Sequence, residues 1–247
     1  MITNYYRPQN IEEALKLLSE PDTHPLGGGT KLNQASAEKF SVVDLQALGL
    51  NQIRKAGNNL EIDACVTLQQ LLESAEIQPS IKQAIQLEAG LNIRNSATVA
   101  GVLVTSDGRS AFATVMLALD ARITTVGINE TNSMGLGEFL PLRPQVLITS
   151  ISIPLNVKSA FETVGRTPLD KPIVCAAVTR WTSGRTRLAL GGYLQTPMLA
   201  MDGTESDGME IAARSAFHES GDEWASSEYR SDVAATLAKR CLAAVSK

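Results

Sequence analysis

The chain has 247 residues and a net charge of −4, so its charge gives no sign of a nucleic-acid partner. Hydrophobic residues make up 44% of the sequence and charged residues 19%, which is ordinary for a globular protein. No apolar run approaches the roughly 18–20 residues that a membrane span needs. The N-terminus also lacks the features of a signal peptide. We therefore expect a cytoplasmic protein that has no membrane span and does not bind nucleic acid.

The cysteine and histidine content limits the chemistry of the chain. Cys65, Cys175 and Cys241 are far apart and form no CxxC pair, so they cannot supply a Cys₄ zinc or iron–sulfur site. The chain has two histidines, His24 and His218, so it has few residues from which to build a histidine metal site or a Ser-His-Asp triad. If the chain takes part in redox chemistry, its redox centre is expected to be an organic cofactor.

The first half of the chain is predicted to alternate short helices and strands. Asn10, with Glu13 three residues later, forms an N-cap box before apolar residues at helical spacing. Thr67 and Gln70 give a second helix start of the same kind. Strands are expected over residues 41–45, 60–64 and 121–126, helices over 79–89 and 111–119, and a polar loop over 92–98.

The second half is predicted to contain more strand. Residues 145–153 alternate between apolar and polar and stop at Pro154, which indicates a strand. Further strands over 174–181 and 187–193 flank a turn and predict a hairpin. Val233, Leu237 and Cys241 share one face of a closing helix of about five turns. Two segments are expected to lack regular structure, a Gly- and Pro-marked loop over 135–144 and a mobile connection over 196–222.

Helices and strands therefore alternate irregularly, which favours an α+β fold over a doubly wound parallel sheet. The loop over 135–144 separates two apolar blocks of the sequence. We place a domain boundary there, at residue 143/144.

Three consecutive glycines and a threonine, residues 27–30, lie between the first helix and the next strand. Glycine permits positive φ and lets backbone N–H groups converge on an anion. The loop lacks the GK[ST] of a P-loop and the spacing of a Rossmann fingerprint. On these residues alone, a tight turn and a phosphate-binding loop both remain open.

A second motif makes the pattern more specific. The segments PLGGGTKL (25–32), NIRNSATVAG (92–101), LALDA (117–121) and RPQVLITSISIP (143–154) follow one another in that order. This order resembles the flavoprotein (medium) subunits of the molybdenum hydroxylases, the family of carbon monoxide dehydrogenase and xanthine dehydrogenase. The tail SEYR, at 227–230, is similar to the closing-helix motif of that family. The resemblance extends from Tyr6 to about Ala243.

The resemblance implies a vanillyl-alcohol-oxidase-like, PCMH-type FAD-binding domain over residues 1–143. Its two α+β subdomains would span about 1–55 and 56–143, and a small C-terminal α+β domain would span 144–247. The flavin would take electrons from a [2Fe–2S] small subunit, fed by a molybdenum-binding large subunit, and pass them to an external acceptor. Neither metal centre would lie on this chain.

The same resemblance implies a cofactor site made of two loops. The first would wrap the FAD pyrophosphate and the second would close on it. The implied residues are Leu26, Gly27, Gly28, Gly29, Thr30, Lys31 and Leu32 in the first loop and Thr98, Val99, Ala100 and Gly101 in the second. Asp170 lies in a segment that resembles the family's approach to the isoalloxazine, although a plain turn before a strand explains it equally well.

The second loop departs from the family pattern at Ala100, Val102 and Ala111, where the family has glycine, asparagine and a cofactor-contacting aspartate. If Ala100 must adopt a positive φ, the strain is about 1–2 kcal/mol. Losing a hydrogen bond to a charged group costs about 1.5–3 kcal/mol. Looser FAD binding is therefore expected, and a structural or assembly subunit without flavin remains an alternative. A stand-alone flavin oxidase is disfavoured because the C-terminal region is too small for a substrate domain.

Overall fold

A computed structural model describes residues 1–32, 38–128, 130–168 and 170–247, and within them the chain forms three sheets. The first sheet is parallel, in the order β1-β3-β2. Its strands are β1 (Ile2–Tyr6), β2 (Thr23–Leu26) and β3 (Phe40–Asp44). Helix α1 (Ile11–Leu18) begins at Asn10, whose side chain accepts a hydrogen bond from the Glu13 amide at 2.8 Å. Ala14 of α1 packs with Val43 and Leu147 in a small core.

The second sheet has five antiparallel strands in the order β4-β5-β8-β6-β7. They are β4 (Ile53–Ala56), β5 (Asn59–Asp63), β6 (Arg122–Val126), β7 (Thr131–Gly135) and β8 (Leu147–Pro154). The accompanying helices are α2 (Leu68–Glu73), α3 (Pro79–Glu88), α4 (Leu91–Arg94), α5 (Val99–Thr105), α6 (Ala111–Ala118) and α7 (Leu136–Leu142). Every residue of α6 is buried, so this helix forms the centre of the largest core.

The third sheet is antiparallel, in the order β12-β11-β10-β9. Its strands are β9 (Val157–Val164), β10 (Val174–Trp181), β11 (Thr186–Gly191) and β12 (Met198–Gly203). Helices α8 (Met209–Ala216) and α9 (Ser227–Val245) complete a separate core with this sheet. Within the described residues, no helix is long and apolar enough to cross a membrane.

Three segments predicted to be irregular are ordered. The expected mobile connection over 196–222 contains β12 and α8, the expected loop over 135–144 contains α7, and the loop over 92–98 begins with α4. In α8, Met209 and Ala213 are spaced one turn apart and are buried in the third core. Ile211, which lies between them, is 70% exposed, so the apolar residues of this short helix do not mark one face clearly. Burial against α9, rather than local propensity, stabilises the helix.

The position of β8 bears on the predicted domain boundary. This strand is the middle one of the second sheet, paired with β5 and β6. The boundary predicted at residue 143/144 therefore falls before the last strand of that sheet. We propose that the C-terminal domain begins after Pro154, where the chain turns into β9. Strand β4 likewise starts at Ile53, three residues before the second predicted subdomain.

Candidate functional site

A cavity of about 230 Å³ lies where the first glycine loop meets the start of α5. It has walls from the first sheet and from the second. Of the twelve residues predicted for a cofactor site, the following line it: Gly27, Gly28, Gly29, Thr30, Lys31, Leu32, Thr98, Ala100 and Gly101. The structure thus brings together two loops that are more than 60 positions apart in sequence.

The other three predicted residues lie outside the cavity lining. The carbonyl of Leu26 accepts a hydrogen bond from the Leu45 amide at 3.1 Å. Val99 is fully buried in the main core. The Asp170 carboxylate accepts a hydrogen bond from the Thr167 amide at 3.1 Å, so it closes its own turn, as the plain-turn interpretation expects.

The first loop offers a row of backbone donors. Within the described part of the chain, the six N–H groups of residues 27–32 donate no hydrogen bond to a protein acceptor. We call these groups the open amides. The loop is partly buried except at Lys31, which is exposed, so these N–H groups are available to an acceptor from outside the loop, such as water or a ligand. Successive amides in a glycine-rich turn form a concave site for an anion, and Gly29 adopts the left-handed conformation with φ of 70°.

Gly27 and Gly28 are required by their packing against the second loop. A Cβ atom on Gly28 would lie 1.6 Å from the Ser96 carbonyl oxygen, and one on Gly27 would lie 2.8 Å from Thr98 Oγ1. Neither position has room for a side chain. The two loops therefore hold each other in place through backbone contact at the edge of the cavity.

Three amides of the second loop donate hydrogen bonds to oxygen atoms of the protein itself. The Val99 amide donates to the Val66 carbonyl at 2.8 Å, and the Ala100 amide donates to the Ala64 carbonyl at 3.3 Å. The Gly101 amide donates to Thr98 Oγ1 at 3.2 Å, which makes Thr98 the N-cap of α5. This loop therefore supplies a wall of the cavity, and its amides from Val99 to Gly101 are already bonded to protein oxygens.

Ala100 lies inside helix α5 and has no positive φ, so the backbone strain expected there is absent. The prediction that backbone strain at Ala100 weakens FAD binding is therefore wrong. The reason is that the second glycine motif begins a helix, whereas the first forms a turn. An alanine in a helix is favourable, so the departure from glycine at this position carries no penalty in backbone conformation.

Ala111, where the family's aspartate was expected, is the first residue of α6 and is 1% exposed. It does not line the cavity. A carboxylate from α3 reaches this helix start instead, because Glu88 Oε2 accepts hydrogen bonds from Ser110 Oγ at 2.8 Å and from the Phe112 amide at 3.0 Å. Burial raises the pKa of Glu88 above its ordinary value, and these two hydrogen bonds oppose the rise.

The remaining cavity walls were not predicted from the sequence. They are His24, Pro25, Leu45, Ala64, Cys65, Val104, Thr105, Val146, Leu147 and Ile148. Most are apolar residues at the ends of strands or on α5, and nothing in their local pattern separates them from core residues. Burial raises the pKa of the Cys65 thiol to about 11, so this wall residue stays protonated at neutral pH.

Comparison with known proteins identifies the cofactor. The family model described as the FAD-binding domain in molybdopterin dehydrogenase matches residues 1–156. The chain belongs to this family. FAD is accordingly its cofactor, and the resemblance inferred from the two loops is confirmed.

Relatives of this FAD-binding chain match over most of their length. The alpha subunit of the 6-hydroxypseudooxynicotine dehydrogenase complex of Paenarthrobacter nicotinovorans is 28% identical, over 97% of this chain and 93% of the relative. The glyceraldehyde dehydrogenase medium chain of Sulfolobus acidocaldarius is 26% identical, over 81% and 78%. In the reconstituted CO dehydrogenase from Oligotropha carboxidovorans, one chain matches with a TM-score of 0.83 and 25% identity, over 99% and 98%. The predicted α+β, PCMH-type fold is confirmed.

The residues of the cavity fit FAD. The open amides suit the diphosphate, because they are hydrogen-bond donors without a protein acceptor and the diphosphate oxygens are acceptors. Apolar side chains such as Leu45, Val104 and Ile148 form much of the remaining wall. Cofactor sites generally combine apolar walls with a few polar groups of this kind.

Proposed function

We propose that this chain is the flavoprotein subunit of a molybdenum hydroxylase-type complex, in which electrons pass from an iron–sulfur partner through FAD to an external acceptor. The partners would be a molybdenum-binding large subunit and a [2Fe–2S] small subunit. Two relatives carry names that mark them as a complex subunit and as a medium chain, which supports a multi-subunit assembly. When bound, FAD supplies reversible electron transfer, so this chain needs no acid–base pair of its own.

The row of open amides carries the assignment of the cofactor position. We assign the diphosphate to residues 27–32, where the N–H groups would become charge-assisted donors. Thr30 and Lys31 in the same loop line the cavity and supply a hydroxyl and a positive charge. On the opposite side, Thr98, Ala100 and Gly101 would close the cavity and exclude water from the phosphates. Asp170 keeps its role in its own turn.

The first experiment supplies FAD to the purified chain. We expect near-stoichiometric binding, seen as flavin absorbance that remains after gel filtration and as a higher unfolding temperature at saturating FAD. Acid treatment should release the flavin intact, because no covalent bond is proposed. A colourless chain with no thermal shift would contradict the proposal and favour a subunit that keeps the fold without the flavin.

The second experiment tests the partners. The chain is co-expressed with the products of the neighbouring genes, and the purified material is analysed by size-exclusion chromatography and by metal analysis. We expect the chain to co-elute with molybdenum and with iron. A monomer that contains neither metal and yet oxidises a small substrate alone would overturn the assembly and favour a stand-alone oxidase.

A further inference from the structure

An ion pair between Asp107 and Lys171 lies close in the chain to the cavity lining, and the charge of Lys31, which lines the cavity, acts on Asp107. Asp107 follows two residues after Thr105, which also lines the cavity. Lys171, from the C-terminal part of the chain, places its Nζ 2.6 Å from Asp107 Oδ2. The two side chains are 46% and 51% exposed, so the pair lies at the surface, where ions and ligands can reach it.

Asp107 is held in its charged form. Partial burial opposes its ionisation, but the hydrogen bond and charge of Lys171, the Arg109 amide and the charge of Lys31 together lower the pKa of this carboxyl. At neutral pH the Asp107 carboxylate therefore neutralises one of the two lysines that lie around it. The three groups together carry a net charge of about +1.

The backbone beside Lys171 is held by the side chain of Arg109, whose own amide donates to Asp107 Oδ1 at 3.0 Å. Arg109 Nε donates to the Pro172 carbonyl at 2.9 Å, and one of its terminal nitrogens donates to the Lys171 carbonyl at 2.8 Å. The Gly192 amide also donates to the Gly108 carbonyl at 2.7 Å, which fastens the segment that carries Asp107 and Arg109 to the chain just after β11. Asparagine at position 107 keeps an oxygen that can accept from the Arg109 amide, so this change would release the Lys171 ammonium from its ion pair while the backbone contacts of Arg109 stay in place.

We propose that Asp107 is a positioning residue that withholds the Lys171 ammonium from the cavity, and that the diphosphate of the cofactor competes with Asp107 for this cation. The inference depends on the proposed position of the diphosphate beside Lys31. A lysine side chain has a flexible stem and a compact charge, so its ammonium can exchange one oxygen ligand for another without backbone movement. Such competition would keep the affinity for FAD below what the loop could otherwise reach.

The test is a double-mutant cycle on the full chain, with FAD and ADP as probes, since both contain a diphosphate. Asp107→Asn keeps the shape of the side chain and removes its charge, and we expect it to lower the dissociation constants of both ligands by roughly two- to fivefold, the range of an exposed ion pair. Lys171→Gln should raise them. In the Lys171→Gln background, Asp107→Asn should increase the affinity for FAD and ADP much less than it does in the native chain. High salt should reduce the affinity gained in the Asp107→Asn single variant.

Glu210→Gln serves as the matched control, because Glu210 forms a comparably exposed ion pair with Lys239 at 3.2 Å on α8 and α9. It should leave both dissociation constants unchanged. Unchanged or weaker binding in Asp107→Asn, with normal binding in the native chain, would overturn the competition alone. A gain that persists in the Lys171→Gln background would also overturn it. If the native chain binds neither FAD nor ADP, the proposed cofactor position fails and the competition fails with it.

Discussion

The two loops that line the cavity contain similar residues and differ in what their backbones do. Residues 27–32 present the open amides, whereas the amides of Val99, Ala100 and Gly101 are bonded to protein oxygens. The first loop is a turn, and the second is the start of a helix. Within the described residues, the row of open amides therefore belongs to the first loop, where we propose that the diphosphate binds.

This difference changes how we interpret Ala100, Val102 and Ala111, the positions at which the chain departs from the family pattern. All of them fall in the segment from Thr98 to Ala111, where the Ala100 amide is bonded to a protein carbonyl and Ala100 and Ala111 are buried. The first loop, which carries the open amides, has none. A chain can thus differ from its family in the second loop and keep the donors that we assign to the diphosphate.

The largest expected effect comes from Ala111→Asp. A carboxylate at this buried position lies near the buried carboxylate of Glu88, which binds the amide of the next residue, Phe112. We expect the free energy of unfolding to fall by about 3–5 kcal/mol, measured by urea unfolding. Ala111→Asn controls for size without charge and should cost less. A stable Ala111→Asp variant that binds FAD more tightly would show that this segment reaches the cofactor after all.

Gly28→Ala should have the next largest effect. The added Cβ would meet the Ser96 carbonyl at 1.6 Å, so the first loop must move away from the second. We expect a loss of about 1–3 kcal/mol in stability and a clear loss of FAD affinity, measured by thermal unfolding and by flavin titration.

Gly57→Ala is its control. Gly57 has a φ of 61° in the β4–β5 hairpin, and a Cβ there would meet nothing within 4 Å. This variant should cost about 1 kcal/mol through backbone strain and leave the dissociation constant of FAD unchanged. Equal FAD affinity in the Gly28 and Gly57 variants would show that the contact between Gly28 and the Ser96 carbonyl is not needed for FAD binding.

Ala100→Gly should have the smallest effect. Restoring the family's glycine inside α5 should lower stability by about 0.5–1 kcal/mol, since glycine is unfavourable in a helix, and should not improve FAD binding. Ala212→Gly in α8 is the matched control for the helix penalty. A marked gain in FAD affinity for Ala100→Gly, absent from the control, would mean that the second loop changes conformation when the cofactor binds.

Elements with local signals were predicted correctly from the sequence. Asn10 caps α1, and Thr67 forms a capping box with Gln70 at the start of α2. The hairpin of β10 and β11 and the closing helix α9 also form where the pattern predicts. Each of these depends on residues within a few positions of one another. Helix α8 and strand β12 depend instead on burial against α9 and β11, so their weak local patterns were not sufficient.

The cofactor site likewise combines features that local sequence patterns predicted with features that depend on distant contacts. The sequence by itself determined the positions of both glycine loops and, through their order, the family. Only the tertiary structure decided that the amides of Val99 and Ala100 bond to Val66 and Ala64, carbonyls more than 30 positions away, and that the first loop lacks such partners in the described residues. Which backbone donors remain for a ligand is fixed by which distant acceptors the fold brings near, and no local pattern contains that information.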